Sequence, residues 1–491
     1  MKKTATKKFF GHPRGLFTLF FTEFWERFSY YGMRAILLFY MYYEISDGGL
    51  GLDIATATSI MAIYGSLIYM SGILGGWIAD RVLGPSRTVF YGGIFIMLGH
   101  TVLAIPVYGL ATLLTALALI IIGTGLLKPT VSSVVGDLYT EEDYRRDSGF
   151  NIFYTGINLG ALSAPLIVGT LGQQYDFHLG FSLAAVGMLV GLLTFVLTKR
   201  RFMGSVGDTA PNPLTPKEKK RSYTILGMSI TAILIIGGIT ITTGTLTIGG
   251  FTILVSTLAI VIPIIYFTVM YRSPKTTKKE QSNLIAYIPL FIAAVIFFGI
   301  LEQGSIILAQ FADQRTNLQF SIFNLQSSWF QSLGALFIVI FAPIFAWMWL
   351  KLRNNQPSTT RKFSIGLFLA GISFLVMMLP GLIFGTEVLA SPLWLVFSFL
   401  LVSLGELFIS PIGLSATTRL APAAFASQTM SLWFLANAAG QGINAQIVRL
   451  FRPETEVVYF GTIGVISLIF GVIIFFIAPI IQRKMIEGES E

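Results

Sequence analysis

Cysteine is absent from this 491-residue chain, and histidine is scarce at three residues. The lack of cysteine excludes a disulfide framework and thiolate metal sites. The histidines are scattered over a basic leader, an apolar segment and an outer turn, so they are poor candidates for proton chemistry. The sequence shows no phosphate-binding loop, nucleophile–base pair or metal-ligand cluster, so we expect no enzyme, no metal and no cofactor.

Charged residues are also few, at 12% of the chain, whereas hydrophobic residues make up 54% and the mean hydropathy is +0.75. This composition excludes an ordinary soluble globule. Apolar runs of about 20 residues recur along the whole length, as in a polytopic helical membrane protein. In a soluble protein the net charge of +9 would suggest nucleic acid. Here the distribution of that charge indicates a lipid bilayer as the partner and no nucleic acid.

Most of the 33 Lys and Arg residues fall on segments that face the same side of the membrane as the basic leader. The exceptions lie in the opposite loops or inside predicted helices: Arg315, Arg449, Arg452, Arg27, Arg34 and Lys128. Because Lys and Arg accumulate on the cytoplasmic side of membrane proteins, we predict that both termini and the connector at 199–221 are cytoplasmic. The leader has no cleavable apolar core and is expected to be retained.

The apolar runs predict six helices, an inserted pair at about 222–243 and 248–271, and six more helices, 14 in total. We therefore predict an all-α polytopic membrane protein with the major facilitator fold, whose two halves are parallel repeats. The expected domains are an N-terminal six-helix bundle, cytoplasmic connectors with the inserted pair, and a C-terminal six-helix bundle. They cover 1–200, 201–283 and 284–491.

Two details of the helices are also predicted. The seventh core helix is expected to run without a break over about 284–312, and the eighth over about 322–350. In the second helix, Gly72 and Gly76 have the spacing of residues that allow close helix packing.

The first predicted helix carries a polar stripe. Glu23, Arg27, Tyr30 and Arg34 lie within a sector of about 60° on a helical wheel, and Glu26 lies to one side. At mid-membrane each charge costs roughly 2.5–3.5 kcal/mol, so the stripe must face a partner or a wet cavity. An Arg–Glu pair that joins two helices is one interpretation. Four ionisable groups of both signs on one face favour an ion and substrate pathway.

Further charges are predicted inside the membrane at Lys128, Glu302 and Glu406. With the first helix, they fall on core helices one, four, seven and ten, which are symmetry-related in the major facilitator fold and line its cavity. The N-terminal half holds all the cations and the C-terminal half only acids. A ligand that bridges the halves should therefore be dipolar, and a zwitterionic peptide or amino acid fits. The eleventh core helix adds one polar face: Trp433, Asn437, Gln441 and Asn444.

Three motifs resemble those of the proton-dependent oligopeptide transporters, a major facilitator family. They are EFWERFSYYGMR in the first helix, FYTGINLGAL at 153–162 and GELFISPIGLS at 405–415. The inserted helix pair is similar to that of the bacterial members. Phe298 stands where the family often has Trp, and Asn437 replaces a common Ser.

The resemblance implies roles for individual residues. Those expected to serve proton coupling are Glu23, Glu26, Arg27, Lys128 and Glu302. Those expected to bind substrate are Arg34, Tyr30, Tyr31, Tyr69, Lys128, Asn158, Phe298, Glu302, Glu406, Trp433 and Asn437. In this scheme Arg34 and Lys128 receive the peptide carboxylate, Glu406 receives its amine, and Glu302 gates by pairing with Arg34 or Lys128.

These observations predict a proton-coupled symporter that imports di- and tripeptides by alternating access. We expect it to act as a monomer in the bacterial inner membrane. Two alternatives stay open: a nitrate or drug carrier of the same fold, and a peptide sensor that binds without transport. Nitrate would need the cations but would leave Glu302 and Glu406 without a role.

Overall fold

The computed structural model describes residues 9–107, 109–140, 143, 145–224, 227–228, 231, 247–321 and 324–487. Within these residues the protein has 14 α-helices and no strand, and it is 84% helical. Eleven helical segments there are long and apolar enough to cross a membrane. The predicted all-α polytopic fold is confirmed.

The first half of the chain forms six helices close to the predicted positions. They are α1 (Gly15–Tyr42), α2 (Ile54–Ile78), α3 (Pro85–Ala104), α4 (Leu110–Gly136), α5 (Arg146–Gln174) and α6 (Phe177–Phe202). Gly84 precedes α3 with φ +82°, a conformation that glycine adopts without strain. Pro85 follows at the first helical position, where its fixed φ suits the helix.

The second half adds eight helices. They are α7 (Ile248–Arg272), α8 (Lys278–Glu302), α9 (Ile307–Gln314), α10 (Ser332–Leu352), α11 (Thr359–Phe384), α12 (Leu393–Leu420), α13 (Ala426–Ile447) and α14 (Glu456–Glu487). Helix α7 is the second member of the predicted inserted pair. The first member, at about 222–243, lies largely outside the described residues.

Two predictions about these helices were wrong in detail. The seventh core helix does not run unbroken, because the 3₁₀ turn Gln303–Ser305 separates α8 from α9. The eighth begins later than expected, at Ser332, after the 3₁₀ turn Ser327–Gln331. Both turns contain polar residues but lie beside long apolar segments, so hydropathy averaged over a window did not reveal them.

The close packing predicted at two glycines of α2 is not found among the described residues. A β-carbon at Gly72 or Gly76 would meet no atom of the described residues within 4 Å. The close approach is instead made by Gly75, where a β-carbon would overlap the Gly125 carbonyl of α4 and lie 2.9 Å from the Leu126 Cα. The face of α2 that packs against α4 is therefore the one that carries Gly75.

The chain groups into two compact units that are each built from separate stretches. One consists of Met1–Tyr30, Met70–Gly160 and Phe181–Val255, and the other of Tyr31–Tyr69, Ala161–Gly180 and Ser256–Glu491. The division at residues 200 and 283 into sequential bundles stays a prediction.

Each unit has its own stabilising features. The core of the first unit includes the buried residues Leu16, Val89, Leu127, Phe153 and Met188. In the second unit, Arg315 and Glu456 form a buried ion pair with Nε–Oε2 and Nη2–Oε1 distances of 2.7 and 3.2 Å. Arg315 Nη2 also donates to the Gly385 carbonyl at 3.2 Å. Such bidentate contacts satisfy both buried charges.

Candidate functional site

The first charged cluster lies on α1, in the first unit. Arg27 Nε donates to Glu23 Oε1 at 2.8 Å and lies 2.6 Å from Glu26 Oε2. Relative exposure is 2% for Glu23, 0% for Glu26 and 3% for Arg27. The Arg27 guanidinium also sits over the Tyr30 ring at 5.6 Å, within cation–π distance. Two buried carboxylates thus share one guanidinium.

Lys128 brings a second cation to this cluster. It lies on α4, half-buried, within electrostatic reach of Glu26. Glu23 Oε2 and Glu26 Oε1 accept no hydrogen bond from the described residues. Buried polar atoms normally have partners, so these two oxygens are exceptions. The cluster therefore combines two acids with two cations, and some of its hydrogen-bonding capacity is unused in the described residues.

The second sequence motif places α5 against this cluster. A β-carbon on Gly160 would lie 2.6 Å from the Phe24 carbonyl and 2.9 Å from the Arg27 Cβ, so only glycine allows this approach. Asn158 is buried, and its Nδ2 donates to the Tyr154 carbonyl of the same helix at 2.9 Å. The motif therefore packs α5 beside the α1 charges.

The second charged cluster lies in the second unit and is centred on Glu302, the last residue of α8. Arg34 Nη2 of α1 pairs with Glu302 Oε2. The exposed fraction of the side chain is 11% for Arg34 and 7% for Glu302. The pairing of Glu302 with Arg34 is one of the two gating pairs expected above.

Three neutral donors also contact this carboxylate. Tyr69 Oη of α2 donates to Glu302 Oε1 at 3.2 Å, and Asn437 Nδ2 of α13 donates to the same oxygen at 3.3 Å. Gln441 Nε2 of α13 donates to Oε2 at 2.8 Å. Donors aimed at a carboxylate stabilise its charged form. Glu302 is therefore held by neutral donors as well as by Arg34.

Sequence reasoning missed several members of this network. The turn after α8 presents Gln303, whose Nε2 donates to Asn444 Oδ1 at 3.1 Å and whose Oε1 accepts from Tyr459 Oη at 2.8 Å. Asn444 Nδ2 in turn donates to the Gly299 carbonyl at 2.8 Å. The polar face of the eleventh core helix was the signal, because it carries both Gln441 and Asn444. Nothing in the apolar pattern of α8 indicated Gln303.

Aromatic side chains and a second acid lie on the neighbouring helices of the same unit. Phe298 and Trp433 meet edge to face, with ring centroids 5.5 Å apart. Gly413 makes room for the Trp433 ring, because a β-carbon there would overlap it. Glu406 of α12 is half-buried and lies within electrostatic reach of Glu302. The unit thus holds two acids that interact electrostatically and an aromatic pair formed by Phe298 and Trp433.

Most of the predicted residues thus belong to one or the other of the two charged clusters. Tyr31 is half-buried on α1, and its assigned role, like those of the others, stays a prediction. No group of three or more potential metal ligands occurs in the described part of the chain.

Comparisons with known proteins decide the class of this molecule. The sequence model of the POT family matches residues 86–466. The chain belongs to the POT family. It is 62% identical over 485 residues to the uncharacterized transporter YclF of Bacillus subtilis (strain 168). This match covers 99% of this chain and 97% of that protein. It is 50% identical over 487 residues to the di-/tripeptide transporter of Lactococcus lactis subsp. cremoris, with 98% of each covered.

Solved structures of POT proteins share the fold. A crystal structure of peptide transporter POT in complex with sulfate matches with a TM-score of 0.96 and 60% identity, over 98% of this chain and 97% of that one. A POT family transporter in complex with 5-aminolevulinic acid matches with a TM-score of 0.93 and 45% identity, over 97% and 98%. The predicted family and the major facilitator fold are confirmed. The relatives are transporters, which agrees with the prediction that this POT protein is not an enzyme.

Proposed function

We propose that this POT protein is a symporter that imports di- and tripeptides together with protons. The observation that carries the proposal is the pairing of Arg34 with Glu302, which is also held by neutral donors. Arginine stays protonated, so its charge is constant. A peptide carboxylate can therefore take the place of Glu302 on Arg34 once Glu302 is neutralised by a proton. Substrate binding and proton uptake are linked by this exchange.

The acids of the second unit support a dipolar substrate. Glu406 lies within electrostatic reach of Glu302, and we assign it the peptide amine. Relatives named di-/tripeptide transporter support peptides as the substrate. A related transporter is in complex with 5-aminolevulinic acid, a molecule with an amine and a carboxylate. Nitrate would leave both acids without a role.

The first unit would supply proton coupling. Glu23 and Glu26 share Arg27, with Lys128 in reach of Glu26. A proton on Glu26 would remove the negative charge of this acid and weaken its attraction to Arg27 and Lys128. Lys128, released from Glu26, would then be able to receive the peptide carboxylate. In this proposal the two clusters respond to protons in turn as the helices rearrange by alternating access.

The proton gradient is large enough for this task. One proton that crosses about 100 mV supplies roughly 2.3 kcal/mol, and each pH unit adds about 1.4 kcal/mol. Together these could sustain roughly a 500-fold gradient of a neutral peptide. Import in this proposal takes place in the bacterial inner membrane, with a monomer as the working unit and both termini in the cytoplasm.

Counterflow with competitors tests the substrate class. Proteoliposomes loaded with unlabelled dialanine are expected to take up labelled dialanine without a proton gradient, and tripeptides should compete. Competition by nitrate but not by tripeptides would favour the anion carrier. Binding of dialanine without counterflow would favour a sensor that does not transport.

A further inference from the structure

Helices α2 and α13 meet along a regular seam in the second unit. Ser66 Oγ donates to the Ala438 carbonyl at 2.9 Å, and Ser59 Oγ donates to the Ala445 carbonyl at 3.2 Å. These contacts recur seven residues apart on each helix, which is two helical turns. Small residues and serines of this kind let helices approach closely in a membrane. The seam therefore fixes the register between α2 and α13.

Gln441 occupies the tightest point of this seam. Its side chain is fully buried, and a β-carbon on Gly65 would lie 2.8 Å from its Cδ and overlap its Nε2. Gln441 Nε2 donates to Glu302 Oε2 at 2.8 Å, whereas Oε1 has no hydrogen-bond partner in the described residues. Only the amide nitrogen can donate to a carboxylate, so this orientation of the amide follows from the site. Gly65 provides the space that lets Gln441 reach Glu302.

We propose that Gln441, seated against Gly65, is a positioning residue that holds Glu302 in place when Arg34 turns to the carboxylate of the substrate. This inference rests on the proposed function. While Glu302 is charged, it competes with the substrate carboxylate for the Arg34 guanidinium, and the neutral donors lower the dependence of Glu302 on that guanidinium. The donation by Gln441 is the shortest of the three neutral contacts. Without it, Glu302 should hold Arg34 more firmly, and peptide carboxylates should bind less well.

Two ligands that differ only at the carboxyl end provide the test. The dissociation constants of dialanine and of C-terminally amidated dialanine are measured on the purified full-length protein and on Gln441→Leu. We expect dialanine affinity to fall about tenfold, equivalent to about 1.4 kcal/mol, and affinity for the amide to be unchanged. The amide has no carboxylate to compete for Arg34, so it reports any general damage to the site.

Substitutions on α2 give a second route to the same contact. Gly65→Ala should push the Gln441 amide away and reproduce the loss that is selective for dialanine. Combined with Gln441→Leu it should add little, because both act on one contact. Gly72→Ala is the matched control: it lies seven residues along the same helix, and a β-carbon there meets no described atom within 4 Å. We expect it to bind both ligands as the unaltered protein does.

The outcomes separate this inference from the proposed function. If the unaltered protein binds no dialanine, the peptide assignment itself is wrong. If it binds dialanine and Gln441→Leu loses both ligands equally, or neither, Gln441 does not act through Arg34 and the positioning role is refuted.

Discussion

Arg34 and Glu302 show how much of this site depends on partners that are distant in the chain. They are 268 positions apart, yet their side chains form an ion pair. Since the arginine charge is constant, the pair can open only if Glu302 takes a proton or another carboxylate takes its place. The contact is therefore suited to read the presence of a substrate carboxylate and of a proton at the same time.

Arg34→Ala should weaken binding of free dipeptides more than binding of their C-terminal amides. A hydrogen bond to a charged group contributes about 1.5–3 kcal/mol, so the affinity for dialanine should fall by roughly tenfold or more. Dissociation constants of both ligands, measured side by side, check this. Equal losses would mean that Arg34 does not bind the carboxylate.

Glu26→Gln should abolish proton-driven uptake and leave counterflow exchange of peptide intact. The substitution keeps the size of this fully buried side chain and removes the group that would gain and lose the proton. Uptake with an inward proton gradient and counterflow without one are measured on the same proteoliposome preparation. Undiminished driven uptake would refute a coupling role for Glu26.

The sequence predicted which residues belong to the site better than it predicted which residues they contact. The helical wheel placed Glu23, Arg27 and Tyr30 together, and they do contact one another. It also placed Arg34 on that stripe, whereas Arg34 pairs with Glu302 on another helix. Periodicity defines the face of a helix but not the helix that it meets. For the same reason Gln441 could be seen on a polar face without its contact to Glu302.

At the scale of whole elements, packing depends on individual glycines that spacing alone does not identify. The small-residue pattern of α2 fits Gly72 and Gly76, but the close contact with α4 belongs to Gly75. Similarly, the break between α8 and α9 lies between two apolar segments, and the turn Gln303–Ser305 is stabilised by the buried contacts of Gln303. Both features come from tertiary contacts, which a single sequence does not display.

Gly75→Ala should lower the apparent melting temperature of the purified protein. The added methyl group would overlap the Gly125 carbonyl and force α2 and α4 apart, a type of overpacking that typically costs about 1–3 kcal/mol. Gly76→Ala is the control, since its methyl group meets no described atom within 4 Å. A melting temperature that falls equally in both variants would contradict the assigned packing face.

For the molecule as a whole, the architecture could be predicted from the sequence more fully than the contacts of the site. Long apolar runs predicted the helices well, because every backbone polar group must be bonded inside a membrane and helices achieve this. Repeating charges on every third core helix indicated the cavity-lining helices of the major facilitator fold, and membership of the POT family is confirmed. Orientation and coupling depend on the membrane and the proton gradient, so they need measurements of transport.

Uptake of labelled dialanine into proteoliposomes, with and without an inward proton gradient, tests the central proposal most directly. We predict accumulation above the external concentration when the gradient is present, and its collapse when a protonophore is added. That result would establish peptide–proton symport and support the two charged clusters as its mechanism. Accumulation that is unaffected by the protonophore, or binding without accumulation, would contradict it.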